Sequence, residues 1–163
     1  MGHVISGIVT SFRYEDELPS TLLVGNFALL PLSATSEGFR GYGIPPFDEL
    51  TPGIKRLARD LSFRGACAFI ETDYFGGSGT QRAMVWHDGQ AVLGPLVEPG
   101  TRVEAETSVQ RVDAPINEAL RHLGIRRHGE LDEFDTARLS HFRSNQDVLE
   151  EIAAAEPRDA PNP

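Results

Sequence analysis

Cysteine is nearly missing from this chain. Cys67 stands alone inside an apolar run, so a disulfide framework is excluded and no thiol pair exists to hold a metal; core packing is its expected role. Lysine is just as scarce, with Lys55 alone against fourteen arginines. Together with the many Ala, Gly and Pro residues, that bias fits a GC-rich bacterial coding sequence. No apolar run approaches the roughly 20 residues of a membrane span, and no signal-peptide pattern opens the chain, so a cytoplasmic protein is expected. The first six residues, MGHVIS, match a myristoylation pattern but read better as the entry to a first strand. The five histidines, His3, His87, His122, His128 and His141, show neither H-E-x-x-H nor H-x-H spacing; neither metal nor cofactor is expected.

What is present is acid. The formal net charge of the 163 residues is −9, with 7 basic and 11 acidic residues in the first hundred and 8 basic and 13 acidic in the rest. Acidity spread in this way repels nucleic acid and anionic lipid and favours basic partners; its plainer role is solubility. The length suits one domain, expected over residues 1–156, with 157–163 as a loose tail.

Periodicity supplies the elements. HVISGIVTSF (3–12) reads as a strand, and LLVGNFALLPL (22–32) as one or two buried extended segments, with helix as the alternative. Residues 33–50 hold five Gly or Pro positions and form a loop. Thr51–Arg64 is a helix, with Thr51 at the N-cap, Pro52 in the first turn, Gly65 as the stop and an apolar stripe of Ile54, Leu57, Ala58 and Leu61. ACAFIETDYF (66–75), TQRAMVW (80–86), QAVLGPLV (90–97) and RVEAETSVQRV (102–112) read as successive strands, joined by turns at Asp88–Gly89 and Pro99–Gly100. Asp113 is placed to cap a helix with Ile116, Ala119, Leu120 and Leu123 on one side and Gly124 at its end. A short helix is expected near 136–142. Asn145 is placed to cap a last helix whose buried face holds Val148, Leu149 and Ile152. The predicted class is therefore α+β: a central antiparallel meander with flanking helices.

The stretch DYFGGSGTQ (73–81) carries the main functional question. It lacks the Lys-Ser/Thr of a phosphate loop and the spacing of a dinucleotide loop, and a strand follows where either would need a helix. GGSG also fails the nucleophile elbow, because no residue separates Ser78 from Gly79. A hairpin connection remains, with its glycines expected at positive φ. Glu71 and Asp73 lie two apart on one strand and share a face. They suit either acid–base chemistry, with Tyr74, Gln81 and His87 nearby, or a solvated strand end paired with Arg82. No catalytic set emerges, which points away from an enzyme.

The combination ETDYFGGSGTQRAMVW, PINEALRHLGI and DEFDTARLSHFRS, over about 65–143, resembles a group of small, uncharacterised bacterial proteins sharing a Y-F-G-G-x-G-x-Q-x-A-x-x-W hairpin. These look like the immunity partners of bacterial polymorphic toxins. The resemblance implies a toxin-neutralising protein that plugs a basic toxin domain. Expected contacts are Glu71, Asp73, Tyr74, Phe75, Gly76, Gly77, Gly79, Gln81 and Trp86, with Asp132, Glu133 and Asp135 as a second patch. The alternatives are a small hydrolase-like or transferase-like enzyme using the hairpin carboxylates, and a self-associating structural or regulatory protein. The oligomeric state is open.

Overall fold

Among the described residues of the first third of the chain, strand β1 (His3–Thr10) is the only long strand, and it takes a central place in the sheet. A computed structural model describes residues 3–75, 78–98, 114–127, 129 and 132–155. After β1 come β2 (Thr21–Leu22), β3 (Ala28–Pro31), α1 (Pro52–Leu61), β4 (Cys67–Phe75), β5 (Ser78–His87) and β6 (Gln90–Glu98). Then follow α2 (Pro115–Leu123), α3 (Glu133–Thr136), a 3-10 turn at Leu139–His141 and α4 (Asn145–Ala155). The strands form one antiparallel sheet in the order β2-β3-β1-β4-β5-β6. The class is α+β with a central antiparallel sheet, as expected. The meander is confined to β4–β6, since β1 sits between β3 and β4.

Two cores flank this sheet, because side chains alternate along every strand. One face carries Ile5 and Val9 of β1, Ala68 and Ile70 of β4 and Ala83 and Val85 of β5; α2, Phe134, Leu139 and Val148 cover it. The other face carries Ile8, Cys67, Phe69 and Trp86 under Ile54, Ala58 and Leu61 of α1 and under Phe47 and Leu50 of the 33–50 loop. Burying an Ile or Leu contributes about 1.5–3 kcal/mol. An N-cap adds about 1 kcal/mol, so the stripe holds α1 more than Thr51 does, although Thr51 Oγ1 does accept from Ile54 N.

Several local expectations are corrected. α1 ends at Ser62, not at Gly65. Gly65 instead lies so close to Ser11 and Phe12 that a Cβ would stand 2.9 Å from each side chain. The N-cap of α2 is Ala114, with no side-chain bond; Asp113 lies outside the described residues. Asn145 is not a cap: its Oδ1 accepts from Ser6 N, while Ser144 Oγ takes Asp147 N. Leu149 is exposed, because α4 turns only Val148 fully inward. Asp88 and Gly89 form the expected tight turn, both at positive φ. At the other hairpin Gly79 is needed for close approach rather than for positive φ, since a Cβ there would lie 2.1 Å from the Asp73 carbonyl oxygen. The strand expected at 102–112, the turn at Pro99–Gly100, Gly76, Gly77 and the 157–163 tail lie outside the described residues.

Candidate functional site

Near the β4–β5 hairpin a cleft of about 290 Å³ opens on the α1 face of the sheet. Its floor is made of alternate residues from three paired strands. Val4 and Ser6 of β1 lie opposite Asp73 and Glu71 of β4, which lie opposite Thr80 and Arg82 of β5. One wall is the 33–50 loop, through Ser33, Thr35, Asp48 and Glu49; the other is the start of α4, through Ser144, Asn145 and Gln146.

Glu71 organises the site. It is buried, yet its carboxylate accepts from Asp48 N at 2.9 Å, from Glu49 N at 2.8 Å and from Arg82 Nη1 at 3.2 Å. Arg82 Nη1 also donates to Asp48 Oδ2 at 2.9 Å. The strand thus grips a glycine- and proline-rich loop by its backbone, and Arg82 closes the ring. Burial pushes the Glu71 carboxyl above its ordinary value, partly offset by the two amides and Arg82. The paired carboxylates hold the Arg82 guanidinium above its ordinary value against desolvation, which is the largest single influence and lowers it. Arg82 Nε is buried with no hydrogen-bond partner among the described residues, an omission worth about 1–3 kcal/mol. Glu49 is fixed in turn, its Oε2 accepting from Ala34 N at 2.6 Å.

The second wall is tied in through Ser6. Its N–H donates to Asn145 Oδ1, its hydroxyl donates to Leu32 O, and Asn145 Nδ2 donates back to that hydroxyl. Val4 N donates to Arg143 O, beside an isolated parallel bridge between Val4 and Ser144.

The residues expected to act together separate across the sheet. Glu71 and Asp73 share the cleft, with Glu71 inside and Asp73 exposed at its mouth. Tyr74 points to the opposite face, where its hydroxyl donates to Glu98 Oε2 at 2.9 Å and its ring lies 5.2 Å from that of His3. Gln81 also faces that side, its Oε1 accepting from the first turn of α2 at Ile116 N. Trp86 is 1% exposed in the α1-side core and is no surface anchor. His87 lies at the other end of the hairpin. Phe75 pairs with Ser78 at the hairpin end.

The D-E-F-D stretch is a joint rather than an open patch. Asp132 caps α3 by accepting from Asp135 N, and also takes Asn117 Nδ2. Glu133 is buried against Arg121 at 3.4 Å. Phe134 packs inside, stacked on His3 at 5.1 Å. Burial, and secondarily the N-terminal charge, push the His3 imidazole below its ordinary value.

Sequence reasoning did not single out Asp48, Glu49, Ser6 or Asn145 for the site. The only signal was indirect: a buried carboxylate needs donors, and Arg82 alone cannot serve both oxygens. No group of three His, Cys, Asp or Glu side chains among the described residues is arranged to hold a metal ion. No helix among them is long and apolar enough to cross a membrane. No family model, curated protein or solved structure matches this chain.

Proposed function

We propose that this chain is a non-enzymatic protein-binding protein of the toxin-neutralising kind, acting in the bacterial cytoplasm by capturing a basic partner and covering its working surface. The observation that carries this reading is the charge of the cleft. Four carboxylates (Asp48, Glu49, Glu71 and Asp73) and one guanidinium line it, on a chain of net charge −9. Such a field draws a cationic surface in and raises the encounter rate.

A small carboxylate enzyme is the second reading, favoured by the burial-raised Glu71 beside Asp73 in one cleft. The geometry supports it less well. Both Glu71 oxygens are committed to loop amides and Arg82, so neither is placed to exchange a proton with a substrate.

The test is expression of the product of the adjacent host gene, with and without this chain. The expected result is growth arrest by that product alone, rescue on co-expression, and a purified complex that associates more slowly as salt is raised. An adjacent product that is harmless and does not bind the chain overturns the proposal. Turnover of an ester, phosphate or glycoside panel that is lost in Glu71→Gln moves the assignment to the enzyme.

A further inference from the structure

The charges in the cleft are not equivalent, and the inequality identifies what the partner brings. Arg82 is held by Asp48 and Glu71 together, so both of those carboxylates are already engaged by a cation. Two carboxylates are left over. Asp73 stands exposed at the mouth with no donor among the described residues. Glu49 has Oε2 bound to Ala34 N, and its Oε1 has no donor among the described residues. Both line the same cleft, Asp73 from its sheet floor and Glu49 from its loop wall.

We infer that the cleft receives a single cationic side chain of the partner, an arginine by preference, with its guanidinium between Asp73 and Glu49. This rests on the partner-binding reading above and names the chemistry of the contact. Three further features fit. The cleft, at about 290 Å³, lies at the bottom of the roughly 300–1,000 Å³ range of small-ligand sites; it has room for one side chain and not for a helix. Val4 is 53% exposed directly opposite Asp73, giving an aliphatic shelf for the methylene stem of a long cationic residue. The loop that presents Glu49 is already held by Glu71, so little ordering remains to be done on binding. Arginine suits the place better than lysine, because its planar fork addresses two carboxylates at once and is more weakly hydrated. An organic cation also suits it better than a coordinated metal ion, for which no third acidic, His or Cys ligand is gathered among the described residues.

The probe is Nα-acetyl-arginine amide, titrated into the full chain and followed by amide shifts in NMR, with the lysine and citrulline analogues as controls. Saturable shifts are expected at Asp48, Glu49, Asp73 and Thr80, with a dissociation constant of about 1–10 mM, as befits one side chain. Lysine should bind more weakly and neutral citrulline not at all. The double variant Asp73→Asn/Glu49→Gln should weaken the arginine probe at least tenfold with an unchanged melting temperature, since Asn and Gln keep the local acceptors. Shifts scattered over the surface, or an equal response to citrulline, overturn the inference. A partner complex that tolerates the double variant also overturns it while leaving the neutralising function intact. Probe binding in the cleft without any partner complex does the reverse: the cation site stands and the toxin-neutralising reading falls.

Discussion

Removing the Glu71 carboxylate tests how the site is built. In Glu71→Ala the amides of Asp48 and Glu49 lose their acceptor, and Arg82, only 18% exposed, keeps Asp48 alone. Breaking a buried ion pair from one side costs about 3–5 kcal/mol. For a chain of this size each kcal/mol shifts the melting temperature by about 2–4 °C, so a drop of about 6–20 °C is expected. Glu71→Gln keeps the shape but turns an NH2 toward one of three donors, which costs about 1–3 kcal/mol. Both are measured by thermal and urea unfolding, with hydrogen exchange at Asp48 and Glu49 as the local readout. The pH dependence has a defined sign. Burial raises the folded-state value of Glu71 above its reference of 4.5, so its contribution is full below that value and declines as pH rises through the raised one. Glu71→Gln should therefore lose least, relative to the parent chain, on the alkaline side of that window. A Glu71→Ala chain within about 0.5 kcal/mol of the parent, with unchanged exchange at both amides, would refute the idea that this carboxylate holds the loop.

Three other outcomes are expected. Burial lowers the His3 value, so its contribution is present above the unfolded value near 6.5 and fades as pH falls through the folded one; replacement by Phe should flatten the urea midpoint between pH 7 and 5. The Cys67 thiol, buried and pushed up to about 12, should resist Ellman's reagent at pH 8 in the native chain and react once the chain is unfolded. Gly79→Ala forces a Cβ against the Asp73 carbonyl and should cost about 1–3 kcal/mol in denaturant titration; a neutral result would mean that the hairpin strands sit farther apart.

The parts of the fold readable in the sequence were those written in side chains at regular spacing. Thr51, Pro52 and the Ile54–Ala58–Leu61 stripe announce α1, and the alternation from Cys67 to Asp73 places Glu71 and Asp73 on one face opposite Arg82. Strand order was not readable, because β1 pairs with partners some 20 and 60 residues away whose apolar residues are interchangeable. Half of the site was hidden for another reason. Glu71 holds Asp48 and Glu49 by their amides, and every residue but proline carries an amide, so no residue type marks the contact. Tyr74 and Gln81 looked like neighbours of Glu71 along the chain, yet the pleat sends them to the other side of the sheet.

The seam between Ser6 and Asn145 has a consequence for synthesis. The two are 139 residues apart, and Val4 likewise waits for Arg143. A nascent chain therefore carries the start of its central strand unfinished until residues 143–145 have been made. Such distant closures slow folding and leave strand edges exposed to other chains meanwhile. A product shortened just before residue 143 would keep most of its core and lack this seam, which makes it a candidate for aggregation through its own first strand.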